Sequence, residues 1–250
     1  MINSKRIIEL SKLSGMRPWQ QEKHYVQSLI LTIVSDYPLV FKGGTYLWIF
    51  HGLNRFSEDL DFTAAAPIKK TLPEFVSRSL NLYGYENEFK IMKDNNLGLS
   101  ARFMINGPFN TTEKDRCIVY VEISSREDII LPKISLMADF PQYDIPVKVV
   151  QGMNLDEVGA EKIRAILTRE KARDVNDLYY LIYKKKIKFD QVLVNKKLDY
   201  YHKHFDFDEF MKRLDQTGKT YKRELKQIIL GVLPDFDDVQ KCISKWLEEV

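Results

Sequence analysis

Cysteine is scarce in this 250-residue chain: Cys117 and Cys242 lie far apart, with no His or Cys near either at metal-ligand spacing. Two such thiols exclude a disulfide framework and argue against a zinc site. Long apolar runs are also missing, since none approaches the roughly 20 residues of a membrane helix. Met1 to Arg17 lacks the apolar core of a secretory leader and reads as a short amphipathic helix, so a cytoplasmic location without membrane contact is expected. Neither sign of charge dominates, with 38 Lys and Arg against 35 Asp and Glu. A net +3 permits a nucleic-acid partner without arguing for one. Internal repeats, low-complexity tracts and nucleic-acid-binding modules are absent. What remains is a composition of 44% hydrophobic and 29% charged residues, which suits a globular chain with a sizeable core in one large domain or two small ones.

Against that background one stretch, Phe41 to Phe62, is not explained by folding alone. Leu39 to Phe41 suit a short strand after Pro38, and Gly43-Gly44 let the backbone bend where a side chain would clash. Thr45 is placed to cap a helix that starts at Tyr46, with Leu47, Ile49, Phe50 and Leu53 at helical spacing until Gly52 and Asn54 end it. Amides exposed at such a turn, together with the positive end of a helix dipole, suit phosphate oxygens. In the following Arg55-Phe-Ser-Glu-Asp-Leu-Asp-Phe-Thr63, Phe56, Leu60 and Phe62 face the core, and Ser57, Asp59 and Asp61 share the other direction. Two carboxylates on one face of a strand repel each other and call for a cation. Mg²⁺ suits them, because it takes hard oxygen ligands from one or two carboxylates plus substrate phosphates.

Further strands are expected at Tyr85 to Ile91, Leu97 to Ile105 and Arg116 to Ser124, separated by turns at Lys93–Asn96 and Asn106–Lys114. In Cys117-Ile-Val-Tyr-Val-Glu-Ile-Ser124 the one acid, Glu122, sits in an apolar run and needs a partner. It either joins Asp59 and Asp61 as a third carboxylate or pairs with Arg126 or Lys133. Asp144 to Gln151 reads as a strand whose proline puts it at a sheet edge. From Leu155 the pattern turns helical. Ile163, Ile166 and Leu167 mark one apolar face and Val175, Leu178, Tyr179 and Leu181 another, with Lys162 beside the first and Arg173 and Asp177 one turn apart on the second. On the residues alone, Glu161, Arg164, Arg169, Glu170, Lys171 and Asp174 read as ordinary solvated charges with helix-surface pairs. The later run Tyr183-Lys-Lys-Lys-Ile-Lys188 suits either an RNA backbone or a solvated surface.

Gly43-Gly44-Thr45 followed by Arg55 to Phe62 resembles motif I of the DNA polymerase β-like nucleotidyltransferases. Within them it is most similar to the AbiEii/AbiGii toxin group, which includes the MenT toxins. Many members of the superfamily have Gly-Ser where this chain has Gly-Gly-Thr. Glu161-Lys162 and Arg173-Asp174-Val-Asn-Asp177-Leu178 resemble the group's helical motifs. The resemblance implies an α/β (α+β) fold: residues 1–152 a nucleotidyltransferase core with a mixed, mostly antiparallel sheet, and 153–250 a helical domain closing over the nucleotide. It also implies NTP as substrate and one Mg²⁺ ion or two on Asp59, Asp61 and Glu122. Nucleotide contacts would come from Gly43, Gly44, Thr45, Arg55, Ser57, Lys162, Arg173 and Asp174, with Asp177 a base or an orienting group. By the same resemblance the acceptor is the 3′ end of tRNA, and a cognate antitoxin exists. Two alternatives stay open at this point: a small-molecule, antibiotic-type nucleotidyltransferase, and a nucleotide-binding regulator that has lost turnover.

Overall fold

The computed structural model describes residues 2–248, which form two compact units. The first comprises residues 2–46, 57–128 and 133–152; the second comprises 47–56, 129–132 and the described residues from Met153 onward. No helix among the described residues is long and apolar enough to cross a membrane.

The first unit is built on a sheet of seven strands: β1 (Leu39–Lys42), β2 (Leu60–Ala64), β3 (Asn87–Asn95), β4 (Gly98–Ile105), β5 (Cys117–Ser124), β6 (Ile134–Ala138) and β7 (Lys148–Gly152). Their order is β3-β4-β5-β2-β1-β7-β6. The β1–β7 and β2–β5 pairings are parallel and the others antiparallel, so the sheet is mixed and mostly antiparallel. Helices α1 (Ser4–Ser14), α2 (Pro18–Val34) and α4 (Leu72–Leu82) complete this unit.

The central helix α2 packs on β5, β6 and β7. Pro18 opens it, where a missing N–H costs nothing, and the Gln20 side chain accepts from the Arg17 amide at 2.9 Å. Its Leu29, Ile30, Leu31 and Ile33 are buried, at about 1.5–3 kcal/mol of transfer free energy each. Ser28 and Thr32 are buried as well, and each donates its hydroxyl to the carbonyl four residues back, so neither needs water.

Three expectations about this unit are corrected. β3 starts at Asn87 and runs on to Asn95 through a register shift between Ile91 and Lys93, so the β3–β4 turn shrinks to Asn96-Leu97. Polar residues in β3 continue an exposed edge strand here and do not mark a loop. β7 is not an edge strand, because it lies between β1 and β6 and Pro146 precedes it. The edge is β6, five residues too short and too weakly patterned to register as a strand.

The second unit is helical: α5 (Leu155–Thr168), α6 (Ala172–Tyr180), α7 (Gln191–Leu198), α8 (Phe207–Leu225) and α9 (Phe236–Glu248), with a π-helical turn at Leu181–Lys185 after α6. Asn154, Asp190 and Asp206 cap α5, α7 and α8 through side-chain oxygens. Two short segments from earlier in the chain belong to this unit. Ile130 and Leu131 donate their amides to buried Glu157, whose charge is matched by buried Lys197 at 2.6 Å. Residues 54–56 form a β-bridge with Ile229, with the Phe56 amide on the Ile228 carbonyl and the Leu230 amide on the Asn54 carbonyl, each at 2.7 Å. Helix α3 (Gly43–His51) begins in the first unit and ends in the second.

Candidate active site

In the sheet unit the glycine turn and the acidic segment are built onto each other. Gly43 has φ of 78°, a left-handed conformation that glycine adopts at little cost. A methyl group added there would stand 2.5 Å from the Asp61 Oδ2 atom. Glycine therefore suits the backbone, and a side chain there would push the Asp61 carboxylate from its place. Helix α3 starts at Gly43 itself, so Thr45 lies in its first turn and is not the cap expected from sequence. The Thr45 side chain is fully buried, and its hydroxyl donates to the Asp59 carbonyl, tying the start of α3 to the acidic segment. Nearby, the Ser57 carbonyl accepts from Gln27 Nε2 at 3.1 Å.

Register places the carboxylates. Asp61 in β2 is paired with Glu122 in β5 on one side and with Lys42 in β1 on the other, and Glu122 is paired in turn with Ser100 in β4. Residues directly paired share a face, so Lys42, Asp61, Glu122 and Ser100 form a polar row across four strands. Asp59 lies just before β2, outside the strand whose register places Asp61. Phe56, Leu60 and Phe62 are buried, and Ser57, Asp59 and Asp61 are half-buried, as the alternation predicts.

Glu122 differs from expectation. In β5, Cys117, Val119, Val121 and Ile123 are buried while Ile118 and Glu122 are exposed, so the strand is covered on one face only. Isoleucine and tyrosine on the open face made it read as apolar throughout. Glu122 is thus an exposed acid beside a half-buried one. Among the described residues no three His, Cys, Asp or Glu side chains converge into a complete metal cage. The pair Asp61 and Glu122 is what the sheet brings together.

The helical unit contains a second charged cluster. Asp177, fully buried, accepts two bonds from Arg55, from Nε at 2.6 Å and Nη2 at 2.7 Å, and lies 2.6 Å from Lys162 Nζ. Arg55 is 2% exposed and also donates to the Phe56 carbonyl. Lys162 donates to Asp174 at 2.9 Å, and Asp174 takes two further bonds from Arg169. Burial works against ionising Asp174 and Asp177. The cations outweigh it, Lys162 and Arg169 at Asp174 and Arg55 and Lys162 at Asp177, and hold both carboxyls below the usual range. Three cations face two carboxylates here.

Arg173 does not join this cluster. Its neighbours Ala172, Asp174, Val175, Asn176, Asp177 and Leu178 are buried, and Arg173 is exposed. Asp177 pairs with Lys162 and with Arg55, 122 positions earlier, and not with Arg173 one turn away. Asp174 and Glu161, which by spacing alone read as solvated charges, are buried.

Sequence reasoning missed two residues. Lys42 is buried beside Asp61, and its signal was a lone charge ending an otherwise apolar strand just ahead of the glycines. Arg169, at the C-terminal boundary of α5, carried no signal that separates it from a surface arginine.

Comparison with solved structures gives the same fold. A structure from Helicobacter pylori assigned to the nucleotidyltransferases is 23% identical, with 92% of this chain and 94% of that one covered and a TM-score of 0.62. The protein JHP933 from Helicobacter pylori is 21% identical over 92% of this chain and 90% of that one, at a TM-score of 0.56. MenT4, a nucleotidyltransferase toxin of Mycobacterium tuberculosis H37Rv, is 16% identical, covering 100% of this chain and 91% of that one at a TM-score of 0.68. No curated protein sequence matches the chain. The sequence profile described as "Nucleotidyl transferase AbiEii toxin, Type IV TA system" matches residues 30–242. A match over that much of the chain completes what the glycine turn and the paired acids began: the protein belongs to the AbiEii nucleotidyl transferase toxins of type IV toxin–antitoxin systems, and is a nucleotidyltransferase.

Proposed function

We propose that the chain transfers a nucleotidyl group from an NTP to the 3′ end of an RNA, with tRNA as the acceptor that the MenT resemblance implies, and that the transfer depends on Mg²⁺. The observation that carries this reading is the register pair Asp61 and Glu122, with Gly43 shaped to admit Asp61 at the start of α3. The donors fit a hard divalent cation: Asp61 and Glu122 offer adjacent carboxylates on an accessible face. An incomplete protein cage agrees with Mg²⁺, which is usually bound by one or two carboxylates plus substrate phosphates. Asp61 and Glu122 would hold such a cation, and its chemistry when bound would be to neutralise negative charge on the phosphates.

The chain's own groups take the remaining roles. Amides of Gly43, Gly44 and Thr45 at the helix start, with the Ser57 hydroxyl, orient phosphate oxygens. Thr45 also fixes the Asp59 backbone. Lys42 compensates the negative charge of Asp61 before nucleotide arrives. In the helical unit, the buried Lys162 and the exposed Arg173 are the cations we assign to nucleotide phosphates. Asp177 acts as a positioning residue, not as a base, because both its oxygens are occupied by Arg55 and Lys162. Asp174 positions Lys162 and Arg169 in the same way.

Incubating the pure protein with each labelled NTP, Mg²⁺ and total RNA tests the acceptor. Label is expected at the 3′ end of RNA of tRNA size. Label on a small hydroxylated compound instead of RNA would overturn the RNA reading and favour an antibiotic-type acceptor.

A further inference from the structure

Strand β6 ends the sheet: it pairs with β7, and no other strand joins its outer side among the described residues. Such an edge offers a row of backbone N–H and C=O groups to any second strand unless charge, proline or a bulge blunts it. The two ends of this sheet differ in that respect. β3 carries Glu88, Lys90, Lys93 and Asp94 and a register shift between Ile91 and Lys93. β6 reads Ile-Ser-Leu-Met-Ala, without charge, proline or bulge, and pairs residue for residue with β7 from Ile134 and Gly152 to Ala138 and Lys148. Met137 is 67% exposed and its partner Val149 58%, so the apolar strip continues across two strands.

We propose that β6 is a self-pairing edge through which two copies of this chain join antiparallel into one continuous sheet. Charge complementarity selects a second copy of this chain as the occupant. Lys133 and Asp139 stand three residues either side of Leu136, with opposite signs, and among the described residues neither forms an ion pair within its own chain. Antiparallel pairing about a two-fold axis at Leu136 sets Leu136 against its own mate, Ser135 against Met137, Ile134 against Ala138 and Lys133 against Asp139. Lys133, Ser135, Met137 and Asp139 are all exposed and alternate onto one face, so each lysine meets its aspartate there, twice by symmetry. A two-fold interface must be complementary to itself, and this five-residue edge with its flanks is. Five residues of strand bury little area, so the dimer is expected to be weak, with Kd of about micromolar or above.

Sedimentation of the full chain over a range of concentrations should show a reversible monomer–dimer equilibrium. Lys133→Asp places like charges opposite each other twice and should raise Kd about tenfold or more, and adding Asp139→Lys should restore it. Under mild oxidation Leu136→Cys should crosslink to its mate, since opposed Cα atoms in such a pair lie about 4.5–5.5 Å apart. Ile134→Cys should not, because its mate lies four residues along the strand, roughly 13 Å away. Wild type, with its own Cys117 and Cys242, sets the background. A chain monomeric at every concentration overturns the proposal, as does a dimer indifferent to Lys133→Asp or crosslinked equally at 134 and 136. None of these residues belongs to the proposed site, so nucleotidyl transfer should stay unchanged, and its loss or retention bears on that reading alone.

Discussion

Gly43 carries two constraints that substitution can separate from stability. Alanine there meets a left-handed φ, at a cost of about 1 kcal/mol, and its methyl overlaps the position of the Asp61 carboxylate. Gly43→Ala should therefore lower the melting temperature by only a few degrees while cutting nucleotidyl transfer tenfold or more, as measured by labelled-NTP turnover on the folded variant. Near-wild-type turnover would mean that the position of Asp61 does not matter to the chemistry. The same residues show what sequence exposes at this scale. A glycine pair followed by Asp-Leu-Asp was legible because both features are costly without a ligand. Lys42 was not, because its meaning depends on a cross-strand partner 19 positions away.

Elements were legible where periodicity was strong and one-sided. Helices α5 and α6 appear where the apolar spacing puts them, since their buried faces repeat from turn to turn. β6 and the place of β7 in the sheet were not, because strand order is set by pairings between distant segments and five-residue strands carry little pattern. The cluster around Asp177 failed for a related reason. Helical spacing put Arg173 near Asp177, but the face that α6 buries leaves Arg173 in solvent and brings in Arg55. Arg55→Met should strip a buried carboxylate of its bidentate partner and cost about 3–5 kcal/mol in a urea unfolding curve. Arg173→Ala, at an exposed site, should stay within about 0.5 kcal/mol of wild type. Equal effects would remove the distinction between the buried cluster and the exposed arginine.

For the whole molecule, the family was readable from the glycine turn with its paired acids, where the second stretch added only a resemblance, and the family match over residues 30–242 agrees with both. Family membership carries the toxin role and an antitoxin with it. The central claim is that the carboxylates on β2 and β5 carry metal-dependent nucleotidyl transfer, and one comparison tests it most directly. Purified wild type and Asp61→Asn, shown by circular dichroism to melt alike, are assayed side by side for labelled NTP transfer while Mg²⁺ is titrated from zero. The amide keeps the shape of the side chain and removes the charge that holds the cation, so wild type should gain activity with Mg²⁺ and Asp61→Asn should stay at background across the titration. Transfer by Asp61→Asn at the wild-type rate, or wild-type transfer indifferent to chelation of divalent cations, would contradict the account.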